Sequence, residues 1–186
     1  MKGFTLIETI FVLTIIGVVL TSFIFLINNL SNLNTYIIFG LGSQGNLELT
    51  LKEISKELKS MNYSNNGIYP IQEIGKNNII FYSDIEDDGL VEKISYYVDN
   101  DNIFKKNIYY FNTSTNTYDQ LPKISKELVK NLATTSVFTF YDDNSTETVD
   151  ISKIRYIKVN LAIYLKYPSE IYENYIILNP RNLREK

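Results

Sequence analysis

Apolar side chains fill residues 4 to 27 almost without a break: "FTLIETIFVLTIIGVVLTSFIFLI" holds 24 residues with Glu8 as its single charge. At about 1.5 Å of rise per residue, a helix of this length reaches the roughly 20 residues needed to cross a bilayer. A carboxylate near the end of such a helix is costly unless it is paired or reaches the headgroup region. Beyond residue 27 the apolar density drops in "NNLSNLNTYIIFGLGSQGN", where Gly40, Gly42 and Gly45 cluster. Glycine costs a helix interior about 1 kcal/mol relative to alanine, so the cluster predicts an interruption near residues 40–46. The stretch "NLELTLKEISKELKSM" then places Leu47, Leu51, Ile54, Leu58 and Met61 four and three residues apart. That is the period of an amphipathic helix, whose apolar stripe packs on the sheet that follows or, alternatively, on a separate partner.

From Asn62 the pattern changes to short runs rich in Ile, Val, Tyr and Phe, separated by Asn, Asp, Ser and Gly. Six strands are predicted: "NNIIFYSD", "LVEKISYYVD", "NIFKKNIYYFN", "SVFTFYDD", "IRYIKVNLAIYL" and "YENYIILN". The fifth alternates cleanly, with Arg155, Ile157, Val159 and Leu161 on one face and Ile154, Tyr156, Lys158 and Asn160 on the other. Hairpins are the natural connections. In "PKISKELVKNL", Pro122 at the start and Ile124, Leu128 and Leu132 on one face predict a short helix. "NTSTNTYDQ" reads as an exposed loop. The pattern therefore predicts an α+β chain, with a long N-terminal hydrophobic helix followed by an antiparallel β-sheet head.

Composition narrows the chemistry. The formal charge is −3, which does not favour a polyphosphate ligand, so no nucleic-acid partner is expected. The chain has no histidine and no cysteine. The commonest general base and zinc ligand, the thiolate metal sites and the disulfide frameworks are thereby excluded. No G-x-S-x-G motif is present, no catalytic residue is assigned, and an enzyme is not expected.

Three further groups bear on function. "DIEDDG" spaces Asp84, Glu86 and Asp88 as in the start of an EF-hand loop, with Gly89 next and Glu92 at the ninth place, but Ser95 stands where the bidentate carboxylate belongs. An acidic hairpin turn is the first reading, and loosely bound calcium at Asp84, Glu86 and Asp88 is the alternative. The tyrosines, among them Tyr96, Tyr97, Tyr109, Tyr110, Tyr164, Tyr172 and Tyr175, suit half-buried strands, with an adhesive or sugar-binding face as the other reading. Lys105, Lys106, Arg181 and Arg184 are too sparse for a polyanion site and read as solvated surface.

The string "KGFTLIE" at residues 2–8, which opens the apolar run, resembles the N-terminal signature of type IV prepilins and of the pseudopilins of type II secretion. "IIFYSDIEDDGLVEKISYYVD", "LVKNLATTSVFTFYD" and "LNPRNL" are more loosely similar to segments of the J-type minor pseudopilins; Pro180 departs from that group's closing motif. The resemblance implies a pilin-like fold and four parts: a leader peptide at 1–3, a transmembrane or filament-core helix at 4–30, a helical stem at 31–61 and a β-rich exported head at 62–186. It implies cleavage by a prepilin peptidase between Gly3 and Phe4 and N-methylation of Phe4. Glu8 would pair with the new amine of a neighbouring subunit and set register in the packed filament. The implied partners are major and minor pilins or pseudopilins, the peptidase, an assembly platform protein, its ATPase and the membrane, with no cofactor. The implied location is the cytoplasmic membrane, single-pass with the head outside the cytoplasm, and then the pilus or pseudopilus. The competing expectation is a monomeric, signal-anchored extracytoplasmic binding protein, in which Glu8 is dispensable.

Overall fold

The computed structural model describes the backbone of residues 5–165 and 170–183, and the side chains of these residues apart from 31–41. The chain divides into two compact units, Met1–Leu41 and Gly42–Lys186. Helix α1 (Leu6–Lys59) begins in the first and ends in the second. The interruption expected near residues 40–46 is absent, because the backbone remains helical through Gly40, Gly42 and Gly45. Unlike proline, glycine keeps its N–H, so the hydrogen-bond ladder survives and only the modest entropic penalty remains.

Among the described residues of the second unit, ten strands follow the helix: β1 (Ile71–Ile74), β2 (Asn78–Ser83), β3 (Glu92–Val98), β4 (Phe104–Tyr109), β5 (Phe111–Asn112), β6 (Thr117–Tyr118), β7 (Ile124–Val129), β8 (Phe138–Tyr141), β9 (Tyr156–Tyr164) and β10 (Ile171–Leu178). They form an antiparallel five-stranded sheet in the order β1-β2-β3-β4-β7, a three-stranded sheet β10-β9-β8 and the small hairpin β5-β6. All six predicted strand segments contain strands. The main-chain donors of Val137 and Phe138 both reach Lys76 O at 2.9 Å, and Ala133 N donates to Ala162 O at 2.8 Å, so the two larger sheets are joined through backbone groups.

The predicted helix in "PKISKELVKNL" is instead strand β7, registered on β4 through Ile124↔Ile108, Lys126↔Lys106 and Phe104↔Val129. The segment carries both periods: Ile124 and Leu128 lie four apart, but Ile124, Lys126 and Leu128 also alternate. β4 offers an otherwise unpaired edge, and a six-residue strand meets its backbone requirement where so short a helix is marginal. The Asn-rich loop also contains β6, and Tyr118 lies with its ring 5.2 Å from that of Tyr82.

The core joins helix and sheets. Leu47, Ile54 and Leu58 are fully buried, and Leu51 and Met61 nearly so, on the predicted stripe. They meet Ile79, Phe81, Ile94 and Phe104 of the larger sheet and Phe138, Val159 and Leu161 of the smaller. A run of rings, Phe81–Tyr96 at 6.1 Å, Tyr96–Phe104 at 5.6 Å and Phe104–Phe138 at 6.1 Å, passes from one sheet to the other.

Candidate functional site

The apolar start of α1 differs from every other element in what surrounds it. Each residue from 5 to 30 is exposed, including Phe11, Leu20 and Phe25. Leu6–Leu30 is long and apolar enough to cross a membrane. Its hydroxyls turn back on the helix: Thr9 donates to Leu6 O and Thr14 to Ile10 O at 2.8 Å, Thr21 to Gly17 O at 2.9 Å and Ser22 to Val18 O at 2.8 Å. Such internal satisfaction is what a helix needs where no water competes for its polar groups.

Gly3 and Phe4 lie outside the described residues, as does Arg184. Glu8 is described, and it has a local partner. Its Oε2 accepts from the Thr5 main-chain N–H at 2.8 Å and from the Thr5 hydroxyl at 2.9 Å, while Thr9 N donates to Thr5 O at 3.2 Å. Thr5 and Glu8 thus stand three apart at the helix start, as in a capping box, with a negative charge in the first turn where the helix dipole favours it. The spacing T-x-x-E was the available signal for this arrangement.

The acidic turn is occupied by its own groups. Asp84 Oδ2 accepts from Gly89 N at 3.1 Å, Asp88 Oδ1 from Leu90 N at 2.9 Å, and Glu92 Oε2 from Ile85 N at 2.9 Å. Asp87 and Gly89 adopt positive φ of 55° and 85°, which closes the turn. Glu86 instead accepts from the Tyr110 hydroxyl, and this bond leads the causes that push Tyr110 up to about 12. Burial pushes the Glu92 carboxyl up, partly offset by the Ile85 N–H. Asp84, Glu86 and Asp88 are therefore directed to different donors, and among the described residues no three His, Cys, Asp or Glu side chains gather to hold a metal ion.

Lys106 corrects the reading of that lysine pair as solvated surface. It is 4 % exposed and donates to Glu53 Oε1 at 2.9 Å and to Glu57 Oε1, while the Tyr96 hydroxyl donates to Glu57 Oε2 at 2.6 Å. Lys126 reaches Glu53 Oε2 at 3.3 Å. Burial would raise the Glu53 carboxyl, but the hydrogen bond and charge of Lys106, helped by Lys126, hold it below the usual range. Burial and then the Glu57 charge push Tyr96 well above the ordinary phenol value. The group clamps α1 to β3, β4 and β7. The visible hint was the pair Glu53 and Glu57, four apart beside the buried stripe. Lys105 pairs with Asp99 at 2.7 Å instead.

The tyrosines divide. Tyr96 is core, Tyr97, Tyr109, Tyr110 and Tyr172 are half-buried, and Tyr164 and Tyr175 are exposed on the outer face of the smaller sheet. Taken together, the described residues present an apolar helix without internal cover and a head with a polar-clamped core. These features define an α+β chain with one helix suited to a membrane. No family model, no curated protein and no solved structure matches the chain.

Proposed function

We propose that this chain is a minor pilin or pseudopilin, a structural subunit of a pilus-like filament. Prepilin peptidase would cut after Gly3, and Phe4 would be N-methylated. The observation that carries the reading is "KGFTLIE" at residues 2–8, leading into Leu6–Leu30, a stretch of α1 exposed at every residue. Such a helix is covered first by lipid, which anchors the chain in the cytoplasmic membrane with its head outside, and then by the helices of neighbouring subunits. An assembly ATPase and its platform protein drive that transfer. The looser similarity to J-type minor pseudopilins supports a place at or near the filament tip, where the subunit starts assembly of a type II secretion pseudopilus or a type IV pilus. Its work is cohesion and positioning rather than catalysis.

One observation favours a second reading. The Thr5 bonds give Glu8 a partner within its own helix, as suits a signal-anchored binding protein that never polymerises. Both readings meet one experiment: coexpression of the full chain with an active prepilin peptidase, followed by mass spectrometry of its N-terminus with a Gly3→Val control. The filament subunit loses Met1 to Gly3 and gains a methyl group on Phe4. An intact N-terminus, with the peptidase active on another substrate, supports the anchored monomer.

A further inference from the structure

β10 ends its sheet, and among the described residues it pairs only with β9. The Tyr175 N–H turns away from that partner and, among the described residues, donates to the adjacent Asn174 side chain at 2.9 Å. Beside this edge runs a groove of about 450 Å³, walled by Lys52, Ser55, Lys56 and Lys59 of α1 and by Asn174 and Ile176 of β10. The three lysines are exposed, and among the described residues none makes an ion pair, in a chain whose net charge is negative. Glu48, the carboxylate at the end of the groove, is engaged by the Tyr172 hydroxyl at 3.3 Å. On the opposite face of β10, Ile171, Tyr175 and Ile177 are each more than half exposed.

We propose that the free edge of β10 and the row Lys52, Lys56 and Lys59 form a docking groove for an extended segment of a partner protein that is acidic at alternate positions. The segment adds to β10 as a further strand. Successive side chains of a strand point to opposite faces, so acidic residues meet the lysines while the intervening apolar residues extend the surface of Ile171, Tyr175 and Ile177. The spacing suits this: alternate strand residues repeat at about 6.7 Å, and helix positions four apart rise about 6 Å. The incoming carbonyl replaces Asn174 on the Tyr175 N–H. Charge complementarity selects an acidic strand and rejects a basic one. The inference does not depend on the filament reading, since an anchored receptor would use the same groove.

The test uses the full chain in zwitterionic micelles and a fluorescein-labelled peptide, Glu-Val-Glu-Thr-Glu-Val-Glu-Thr, followed by fluorescence anisotropy. Binding is expected to weaken at least tenfold in the double variant Lys52→Glu and Lys56→Glu and to an intermediate degree with glutamine at both positions. Unchanged near-ultraviolet circular dichroism shows that the variants are folded. A peptide with proline at its two central positions, or with lysine for glutamate, should not bind, and hydrogen exchange should slow at the Tyr175 and Ile177 amides. Equal binding by the charge-reversed variant or by the proline peptide overturns the proposal, as does protection confined to other strands. Failure of the acidic peptide to bind, with phosphatidylglycerol in the micelles perturbing the lysines, assigns the row to a lipid surface. Protection of β10 without peptide that is lost on dilution assigns the edge to a second copy. Either result overturns the proposal.

Discussion

Helix α1 contains two stretches of different apolar pattern and opposite surroundings. In Leu6–Leu30 apolar residues occur all around the helix, every residue is exposed, and the hydroxyls bond back to the same helix. From Leu47 onward Leu47, Leu51, Ile54 and Leu58 form one stripe, continued past the helix by Met61, that is buried to 2 % exposure or less and bordered by Glu53 and Glu57, whose charges are answered from the sheet, while Leu49 lies exposed off it. The stripe shows where the chain supplies its own partner. The N-terminal stretch has no such cover among the described residues.

The contrast breaks most sharply at the buried charge. Lys106→Ala leaves Glu57 without its cation and should destabilise the head by about 3–5 kcal/mol, read from chemical denaturation of the full chain in detergent. Little change would mean that water enters the clamp. Nearly as large an effect is expected from Leu58→Ala, about 2–5 kcal/mol in the same assay. Leu20→Ala should leave head unfolding unmoved, so an equal loss for both leucines would erase the distinction between the two stretches.

A third probe uses acidity. Because Glu53 is held below the ordinary carboxylate range by Lys106 and Lys126, the unfolded chain binds the proton more readily. Its contribution is therefore present above the unfolded value and is lost as the pH falls through the folded one. The stability of Glu53→Gln should decline less steeply than that of the parent between about pH 5 and pH 3, and identical slopes would count against the clamp. At the helix start, Thr5→Ala should cost about 1 kcal/mol locally, seen as faster amide exchange in the first turn without a shift in head unfolding. Gly45→Ala is the smallest test: nothing lies within 4 Å of the added methyl group, so a gain of about 0.5–1 kcal/mol is expected.

Periodicity made the helical stripe and six strand segments legible because each is long enough to show its period against its own burial. It misled where one segment carries two periods. Ile124, Leu128 and Leu132 fit a helix, yet the open edge of β4 decided for a strand, and that edge is a property of the fold rather than of residues 122–132. β1 was missed because "IQEI" buries only Ile71 and part of Ile74, leaving no alternation to read. The glycines misled because propensity sums local cost but does not count the surviving ladder. Among the candidate site residues, Glu8 was legible as an anomaly, while its Thr5 partner showed in the sequence only as the T-x-x-E spacing. The clamp was hidden because a lysine in a strand looks solvated until helix and sheet are brought together.

The stripe from Leu47 to Met61 also sets a timetable. It leaves the ribosome early, but its covering residues include Leu178 and Leu183, and the Asn182 amide closes on Met61 O at 2.6 Å across 121 positions of chain. The head must wait for late segments before its earliest apolar surface is covered, and contacts so distant in sequence form slowly. Until closure that surface stands open to chaperones, and this interval is when the chain is most exposed to proteolysis.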